Sequence, residues 1–139
     1  MIATDNLIET ARQYLGVPYL HHGRDKRGMD CIGLFVACGR ELGIPIWDDL
    51  TYTTKVNPKH LIAGLNQHAV QDVRPVLEPG RMALMQFSSG AGLTHTALIT
   101  EQGILHAYNK RRAVVEHRIN DAWKKRIIRT YKLNGVDYG

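Results

Sequence analysis

The stretch GMDCIGLFVACGRELGIP, residues 28–45, decides the fold, because its apolar residues recur with the spacing of a helix. Asp30 before this stripe is a natural N-cap, and Gly43, closely followed by a proline, is a usual stop. The pattern therefore predicts a helix over residues 31–42 with Cys31 in its first turn. The stripe occupies positions i, i+3, i+4, i+7 and i+11: Cys31, Leu34, Phe35, Cys38 and Leu42.

A cysteine in the first turn of a helix is a candidate nucleophile. The thiolate is the attacking form, and the positive end of the helix dipole stabilises negative charge there. We therefore expect the pKa of Cys31 to lie below that of a free cysteine. Cys38, in the middle of the helix, is interpreted as a small apolar residue that faces a sheet. Two cysteines seven residues apart on one helix are too distant for a disulfide, so both are expected as reduced thiols.

The size and composition of the chain favour one globular domain. The chain has 139 residues, of which 44% are hydrophobic and 22% charged, and we expect a single domain over residues 1–139. No apolar run approaches the length of a membrane span. The N-terminal residues lack the pattern of a signal peptide, so we expect cytoplasmic synthesis and another route for any work outside the cytoplasm.

The charge is basic and unevenly distributed. There are 18 Lys and Arg residues against 13 Asp and Glu residues, a net charge of +5, and nine of the basic residues lie between Lys110 and Lys132. Such a cluster fits nucleic acid, anionic lipid or an acidic polymer such as a cell wall, and it equally fits a solvated surface.

The remaining pattern predicts helices first and strands second. Residues 5–15 are predicted to form a helix capped by Asp5, and Asn57-Pro58 to open another after an irregular stretch. Together these features indicate an α+β domain, with an antiparallel meander and helices packed on one face of the sheet. A short helical turn is expected over residues 121–125. Five short runs typical of strands follow Glu78: RMALMQF (81–87), HTALIT (95–100), ILHAY (104–108), AVVEHRI (113–119) and RIIRTYKL (126–133).

Two of the seven histidines have the spacing expected for partners of a cysteine nucleophile, which needs a base for its proton. With Glu101-Gln102 as a two-residue loop, His95 and His106 lie on the same sheet face, diagonal to each other. A three-residue loop would remove this relation. The expected geometry is this sheet face packed against the helix that presents Cys31, with a third group orienting the imidazole.

Three blocks of the sequence resemble the NlpC-type cell-wall cysteine peptidases, which are small papain-like enzymes. The blocks are GVPYLHHGRDKRGMDCIGLF (16–35), EPGRMALMQF (78–87) and THTALITEQGILHA (94–107). The resemblance implies a papain-like α+β fold with N-terminal helices packed on a C-terminal antiparallel sheet. It implies Cys31 as nucleophile, His95 as base and His106 as the orienting third member. It also implies a substrate pocket that includes Tyr19, twelve residues before the cysteine, and Asp30.

The resemblance further implies a substrate, the γ-D-glutamyl to diaminopimelate bond of peptidoglycan stem peptides or a near relative. Ile32 departs from the family, which usually has a small residue, most often Ser, after the cysteine, and this change is expected to affect the pocket or its specificity. The ending VVEHRINDAWKKRIIRTYKL (114–133) is similar to phage and gene-transfer-agent members. We therefore expect phage tail proteins as partners, and either association with a virion or action in the periplasm or cell wall by a bare catalytic domain.

Three other functions compete with the peptidase. A zinc enzyme is disfavoured because HExxH and CxxC motifs are absent and His21-His22 lie in a loop without obvious partners, so neither a metal nor another cofactor is expected. The main rival is a non-catalytic basic module, either a virion structural subunit or a cell-wall-binding domain. Nucleic-acid binding is disfavoured because Trp123 is thin aromatic support among the basic residues. The same fold could also perform amidase or acyl-transfer chemistry.

Overall fold

The computed structural model describes residues 1–87 and 92–139, and the serines and glycine of residues 88–90 with Ala91 lie outside this description. The helices are α1 (Thr4–Arg12), α2 (Cys31–Leu42), α3 (Pro58–His68) and α4 (Asp121–Arg126). The strands are β1 (Ile2–Ala3), β2 (Arg24–Asp25), β3 (Gly28–Met29), β4 (Ala69–Gln71), β5 (Met82–Met85), β6 (His95–Thr100), β7 (Gly103–Tyr108), β8 (Ala113–His117), β9 (Ile127–Leu133) and β10 (Val136–Asp137). The α+β class predicted from the sequence is confirmed.

The central sheet has six antiparallel strands in the order β4-β9-β5-β6-β7-β8. Strands β5 to β8 form the predicted meander. The meander prediction is wrong for β9, which returns across the sheet and pairs with β5 rather than with β8. Strand propensity marks where a strand lies along the chain but carries no information about its partner, so this crossover and the short β4 were not foreseen.

Helix α2 has the predicted bounds and both predicted ends. The Asp30 side chain accepts a hydrogen bond from the Gly33 N–H at 2.8 Å, and Gly43 at the C-terminus is left-handed with φ of 72°. Gly33 also allows a close approach, because a Cβ there would lie 1.9 Å from the carbonyl oxygen of Gly23. Both cysteines are free thiols, as expected, and both are buried.

The other helices differ more from their predictions. Helix α1 begins at Thr4 and ends at Arg12, so Asp5 lies within its first turn and does not cap it. The predicted helix is also too long at its C-terminal end, where Leu15 lies beyond the helix and is exposed. Helix α3 begins as predicted after Asn57, whose side chain accepts hydrogen bonds from the backbone N–H groups of the first turn.

The sheet has a separate apolar cluster on each face. Helices α1, α2 and α3 pack with Leu84, Leu98 and Leu105 on one face, whereas Ala97 and Ile99 belong to a second cluster on the other face. Because side chains alternate along a strand, His95 shares the face of Ala97, and Thr96 shares the face of α2. The expectation that the histidine face packs directly against α2 is therefore wrong. The histidine face is covered instead by Trp123 of α4.

Candidate active site

A cavity of about 880 Å³ lies where α2 and β6 both begin. It contains four of the five side chains that the sequence analysis assigned to a site: Tyr19, Asp30, Cys31 and His95. The fifth, His106, lies directly behind His95, away from the cavity. The structure therefore brings the predicted residues together, although their catalytic and binding roles stay predictions.

Cys31 occupies the first turn of α2 and is only 6% exposed. Its carbonyl oxygen accepts a hydrogen bond from the Thr96 hydroxyl at 3.1 Å, which ties the start of α2 to β6. Burial, reinforced by the negative charge of Asp30, raises the pKa of the Cys31 thiol to about 11, against smaller opposing effects of donors on Thr96 and Ile32. The expectation of an unusually acidic thiol is therefore wrong, because loss of hydration outweighs the effect of helix position. The resting thiol is protonated at neutral pH.

His95 and His106 form the hydrogen-bonded pair that the hairpin spacing predicted. Thr100 pairs with Gly103, so the loop between β6 and β7 has two residues, and His95 Nε2 lies 2.6 Å from His106 Nδ1. Burial lowers the pKa of His95 to about 3. Burial, followed by repulsion from the neighbouring histidines, lowers the pKa of His106 to about 2. Both rings are consequently neutral at pH 7.

Cys31 and His95 reach the cavity from opposite faces of the sheet. The turn of α2 that carries Cys31 contacts Thr96, and the adjacent His95 points the other way, so the two side chains meet at the edge where β6 starts. Among the hydrogen bonds of residues 1–87 and 92–139, none joins Cys31 Sγ to the His95 ring. Such contacts are often long in a free enzyme and shorten when substrate binds.

Asp30 is a buried hydrogen-bonding hub as well as a helix cap. Its Oδ1 accepts from the Gly33 N–H at 2.8 Å and from Arg24 Nη1 at 3.1 Å. Its Oδ2 accepts from the His22 N–H at 2.9 Å and from the Tyr52 hydroxyl at 2.5 Å. Four donors of its own chain thus hold the carboxylate, which fixes the loop before α2 and the start of the helix together.

The sequence analysis missed Arg24 and Tyr52, the two side-chain partners of this hub. Arg24 bridges Asp30 to Asp48, and its Nη2 donates to the Tyr52 hydroxyl at 2.8 Å. His22 also belongs to this network, because its Nε2 lies 2.6 Å from the carbonyl oxygen of Tyr52. Tyr52 lies in an irregular stretch without periodicity, so no local signal indicated its position.

Tyr19 lines the same cavity as Cys31, the residue that the resemblance implies as nucleophile. Burial, followed by the electrostatic influence of Cys31 and Asp30, raises the pKa of the Tyr19 hydroxyl well above its usual value. The hydroxyl therefore keeps its proton across the physiological range and is available as a hydrogen-bond donor beside Cys31.

Three exposed cationic side chains complete the cavity rim. Lys55, Lys110 and Arg112 line the cavity together with Cys31 and His95. Within the described part of the chain, none of these three forms an ion pair with a carboxylate. The predicted cluster of basic residues therefore contributes part of its charge directly to the site.

His117 is a further residue that the sequence analysis missed. Its Nε2 lies 2.9 Å from His106 Nε2, which extends the histidine pair to a row of three. The spacing contained a signal, because His117 follows His106 by the same eleven residues that separate His106 from His95. That signal needs the length of the second hairpin loop, which the sequence pattern did not predict.

Neither a metal centre nor a membrane span is found in the described ranges. Residues 1–87 and 92–139 contain no group of three or more His, Cys, Asp or Glu side chains placed to hold a metal ion. None of the helices in these ranges combines the length and the apolar character that crossing a membrane requires.

Comparison with solved structures places this fold among NlpC/P60 proteins. An NlpC/P60 family protein from Bacillus cereus ATCC 10987 matches with a TM-score of 0.70 and 22% identity over 91% of this chain and 39% of that chain. The NlpC/p60 domain of the peptidoglycan hydrolase SagA matches with a TM-score of 0.56 and 22% identity over 81% of this chain and 86% of that domain. NlpC1 from Trichomonas vaginalis matches with a TM-score of 0.63 and 20% identity over 93% and 44%.

These matches establish a papain-like α+β fold of the NlpC/P60 type. The chain spans 39% of the Bacillus cereus protein, so much of that protein has no counterpart here. No family model matches the sequence. The curated proteins likewise contain no match.

Proposed function

We propose that this protein is a cysteine peptidase of the NlpC/P60 family that hydrolyses peptidoglycan stem peptides. The observation that carries the proposal is the shared cavity, in which Cys31 at a helix start meets His95, whose ring is held from behind by His106. A cysteine, a base and a group that orients the base are the minimum set for nucleophilic acyl transfer. The fold of the solved NlpC/P60 structures supports it independently.

Acylation starts from a neutral pair. His95 removes the proton from the Cys31 thiol as Sγ attacks the carbonyl carbon of the scissile amide, and the new C–S bond creates a tetrahedral oxyanion. The backbone N–H of Cys31 lies in the first turn of α2, where N–H groups lack intrahelical acceptors, and it can donate to that oxyanion. The Tyr19 hydroxyl is a second donor in the same cavity.

Collapse of the oxyanion completes the chemistry in two steps. The C–N bond breaks, the amine leaves with the proton held by His95, and the acyl group remains as a thioester on Cys31. His95 then removes a proton from water, the resulting hydroxide attacks the thioester, and the carboxylic acid departs as the thiol is restored. Because water is the acceptor, the net reaction is hydrolysis.

The specific bond proposed is the γ-D-glutamyl to diaminopimelate linkage. A γ-linked glutamyl residue retains a free α-carboxylate, and the cationic rim of Lys55, Lys110 and Arg112 favours a substrate with carboxylates near the scissile bond. Ile32 lines the same cavity and makes its wall bulkier and less polar than a serine would. The phage-like ending of the sequence supports a role in a phage tail or virion, with action in the periplasm or cell wall.

The test is digestion of purified peptidoglycan with separation of the released muropeptides by mass. We expect products with a new γ-carboxyl on glutamate and a new amine on diaminopimelate, and none from Cys31→Ala. Cys38→Ala is the matched control, because it removes a buried thiol of the same helix away from the cavity. An inactive wild type that still binds peptidoglycan would replace this proposal with the wall-binding module, and cleavage next to the sugar would indicate an amidase.

A further inference from the structure

The row of three histidines ends on a group that can only accept a hydrogen bond. His106 Nε2 lies 2.9 Å from His117 Nε2, and His117 Nδ1 lies 2.9 Å from the carbonyl oxygen of Arg118. A neutral imidazole has one N–H donor and one bare nitrogen acceptor, so each contact in the row restricts the next one. The carbonyl therefore fixes which nitrogen donates and which accepts in every hydrogen bond of the row.

The position of each ring proton follows in turn, starting at the Arg118 carbonyl and ending at His95. In the neutral form of the His117 ring, the Arg118 carbonyl requires the proton on Nδ1, which leaves His117 Nε2 as an acceptor. His106 must then carry its proton on Nε2 and accept at Nδ1. His95 consequently donates from Nε2, and its Nδ1 is left with a free lone pair.

We propose that His117 is a positioning residue that sets the tautomer of His95 through His106. This proposal rests on the proposed function, because a free Nδ1 on His95 matters only if that nitrogen is the base for Cys31. In this arrangement, removal of the acceptor at His117 lets His106 adopt either tautomer. The tautomer with the proton on Nδ1 would make His95 accept at Nε2 and place its own proton on the nitrogen needed as the base.

His117 has a position from which this role can be separated from packing. It is partly exposed at the end of β8, which is an edge strand, and it lines a second cavity of about 460 Å³ beside Trp123. Its ring also packs against Trp123, with the ring centroids 4.6 Å apart, so each His117 variant is compared with the wild type at equal folded fraction.

The test compares His117→Gln, His117→Asn and His117→Ala with the wild type. The carbonyl oxygen of a glutamine can take the place of Nε2 and still accept from His106, whereas the shorter asparagine leaves its oxygen near the place of Nδ1. We expect kcat to stay close to that of the wild type for His117→Gln, and to fall at least about tenfold for His117→Asn and His117→Ala at unchanged KM.

A second measurement reads the tautomer without substrate. The ring ¹⁵N signals of His95 in the free wild-type protein should show Nε2 protonated and Nδ1 bare, and this preference should be retained in His117→Gln and lost in His117→Ala. Wild-type kcat together with an unchanged His95 tautomer in His117→Ala would overturn the proposal. If the wild type releases no muropeptide, the proposed function fails, and the ring ¹⁵N signals still decide whether His117 sets the tautomer.

Discussion

Two buried polar clusters lie on either side of Cys31, and they differ in charge: one is built around an ion pair and the other from histidine rings. The Asp30 cluster contains an ion pair, and four donors hold its carboxylate. The histidine row of His95, His106 and His117 contains no carboxylate, and burial keeps at least its two inner rings neutral. One cluster lies in the loop before α2, whereas the other lies on the far face of the sheet.

The two clusters suit different tasks: the Asp30 cluster holds the structure rigid, whereas the histidine row can transfer a proton. A buried carboxylate that loses a partner is costly, so the Asp30 cluster locks the helix start that positions Cys31. A row of neutral rings can accept and return a proton with small displacements, and such a row suits the base. We therefore expect substitutions in the Asp30 cluster to act mainly on stability and those in the histidine row mainly on turnover.

The largest effect is expected for His95→Ala. Loss of the proposed base should reduce kcat by about 10²- to 10⁴-fold, since general base catalysis contributes about that factor. The measurement is muropeptide release by folded protein. Turnover at the wild-type rate would remove His95 from the mechanism.

His106 should show a graded effect. His106→Asn can place a carbonyl oxygen near the position of Nδ1 and accept from His95 Nε2, so it should retain more activity than His106→Ala. Both variants are compared at equal folded fraction, checked by thermal unfolding. Equal losses in the two variants would mean that the hydrogen bond to His95 does not matter for turnover.

Asp30→Ala should destabilise the protein more than any other of these substitutions. A cap alone is worth about 1 kcal/mol, but this change also removes one of the two carboxylate partners of Arg24 and the acceptor of the Tyr52 hydroxyl, so we expect a loss of about 2–4 kcal/mol in unfolding free energy. Denaturant titration measures it. The matched control is Asp25→Ala, which breaks an exposed pair with Arg27 and should leave stability unchanged. Similar stabilities of the two variants would contradict the conclusion that Asp30 holds the loop and the start of α2 together.

Acid should destabilise the protein through its two buried rings. The pKa values of His95 and His106 lie near 3 and 2 in the folded protein, below the ordinary value of about 6.5 in the unfolded chain. Below about pH 6.5 the unfolded chain therefore binds more protons, and stability falls as pH decreases, by about 1.4 kcal/mol per pH unit for each ring. The His106→Asn variant lacks one of the two rings, so the difference between its curve of unfolding free energy against pH and that of the wild type separates the histidine slope from that of the carboxylates. Parallel curves for the two proteins would refute the histidine contribution.

The smallest effect is expected for Cys38→Ala. Cys38 lies in α2 and packs in the apolar cluster between the helices and the sheet, so loss of its thiol should cost about 1 kcal/mol of stability and leave turnover intact. Iodoacetamide should modify Cys31, which lines the cavity, in preference to Cys38, with a rate that rises towards pH 11. Fast alkylation of Cys31 already at pH 6 would show that its thiol is acidic after all.

Local pattern was sufficient for several features of the fold and site. The bounds of α2, its cap at Asp30 and the strand over residues 95–100 all follow from neighbouring residues, and of the two loop lengths considered for the next hairpin the structure has the two-residue one. That hairpin also gave the contact between His95 and His106, because side chains alternate and a two-residue loop fixes the register. Features set within about a dozen residues were thus accessible to the sequence.

Only the tertiary structure decided the rest, since it depends on groups that are distant along the chain. The pairing of β9 with β5, the contact of Tyr52 with Asp30 and the placement of Trp123 over the histidine face have no local signal. The protonation state of Cys31 is the clearest example of a property that only the tertiary structure decides. Its position at a helix start predicts an acidic thiol, but burial in the folded protein reverses the direction, because desolvation depends on everything packed around the sulfur.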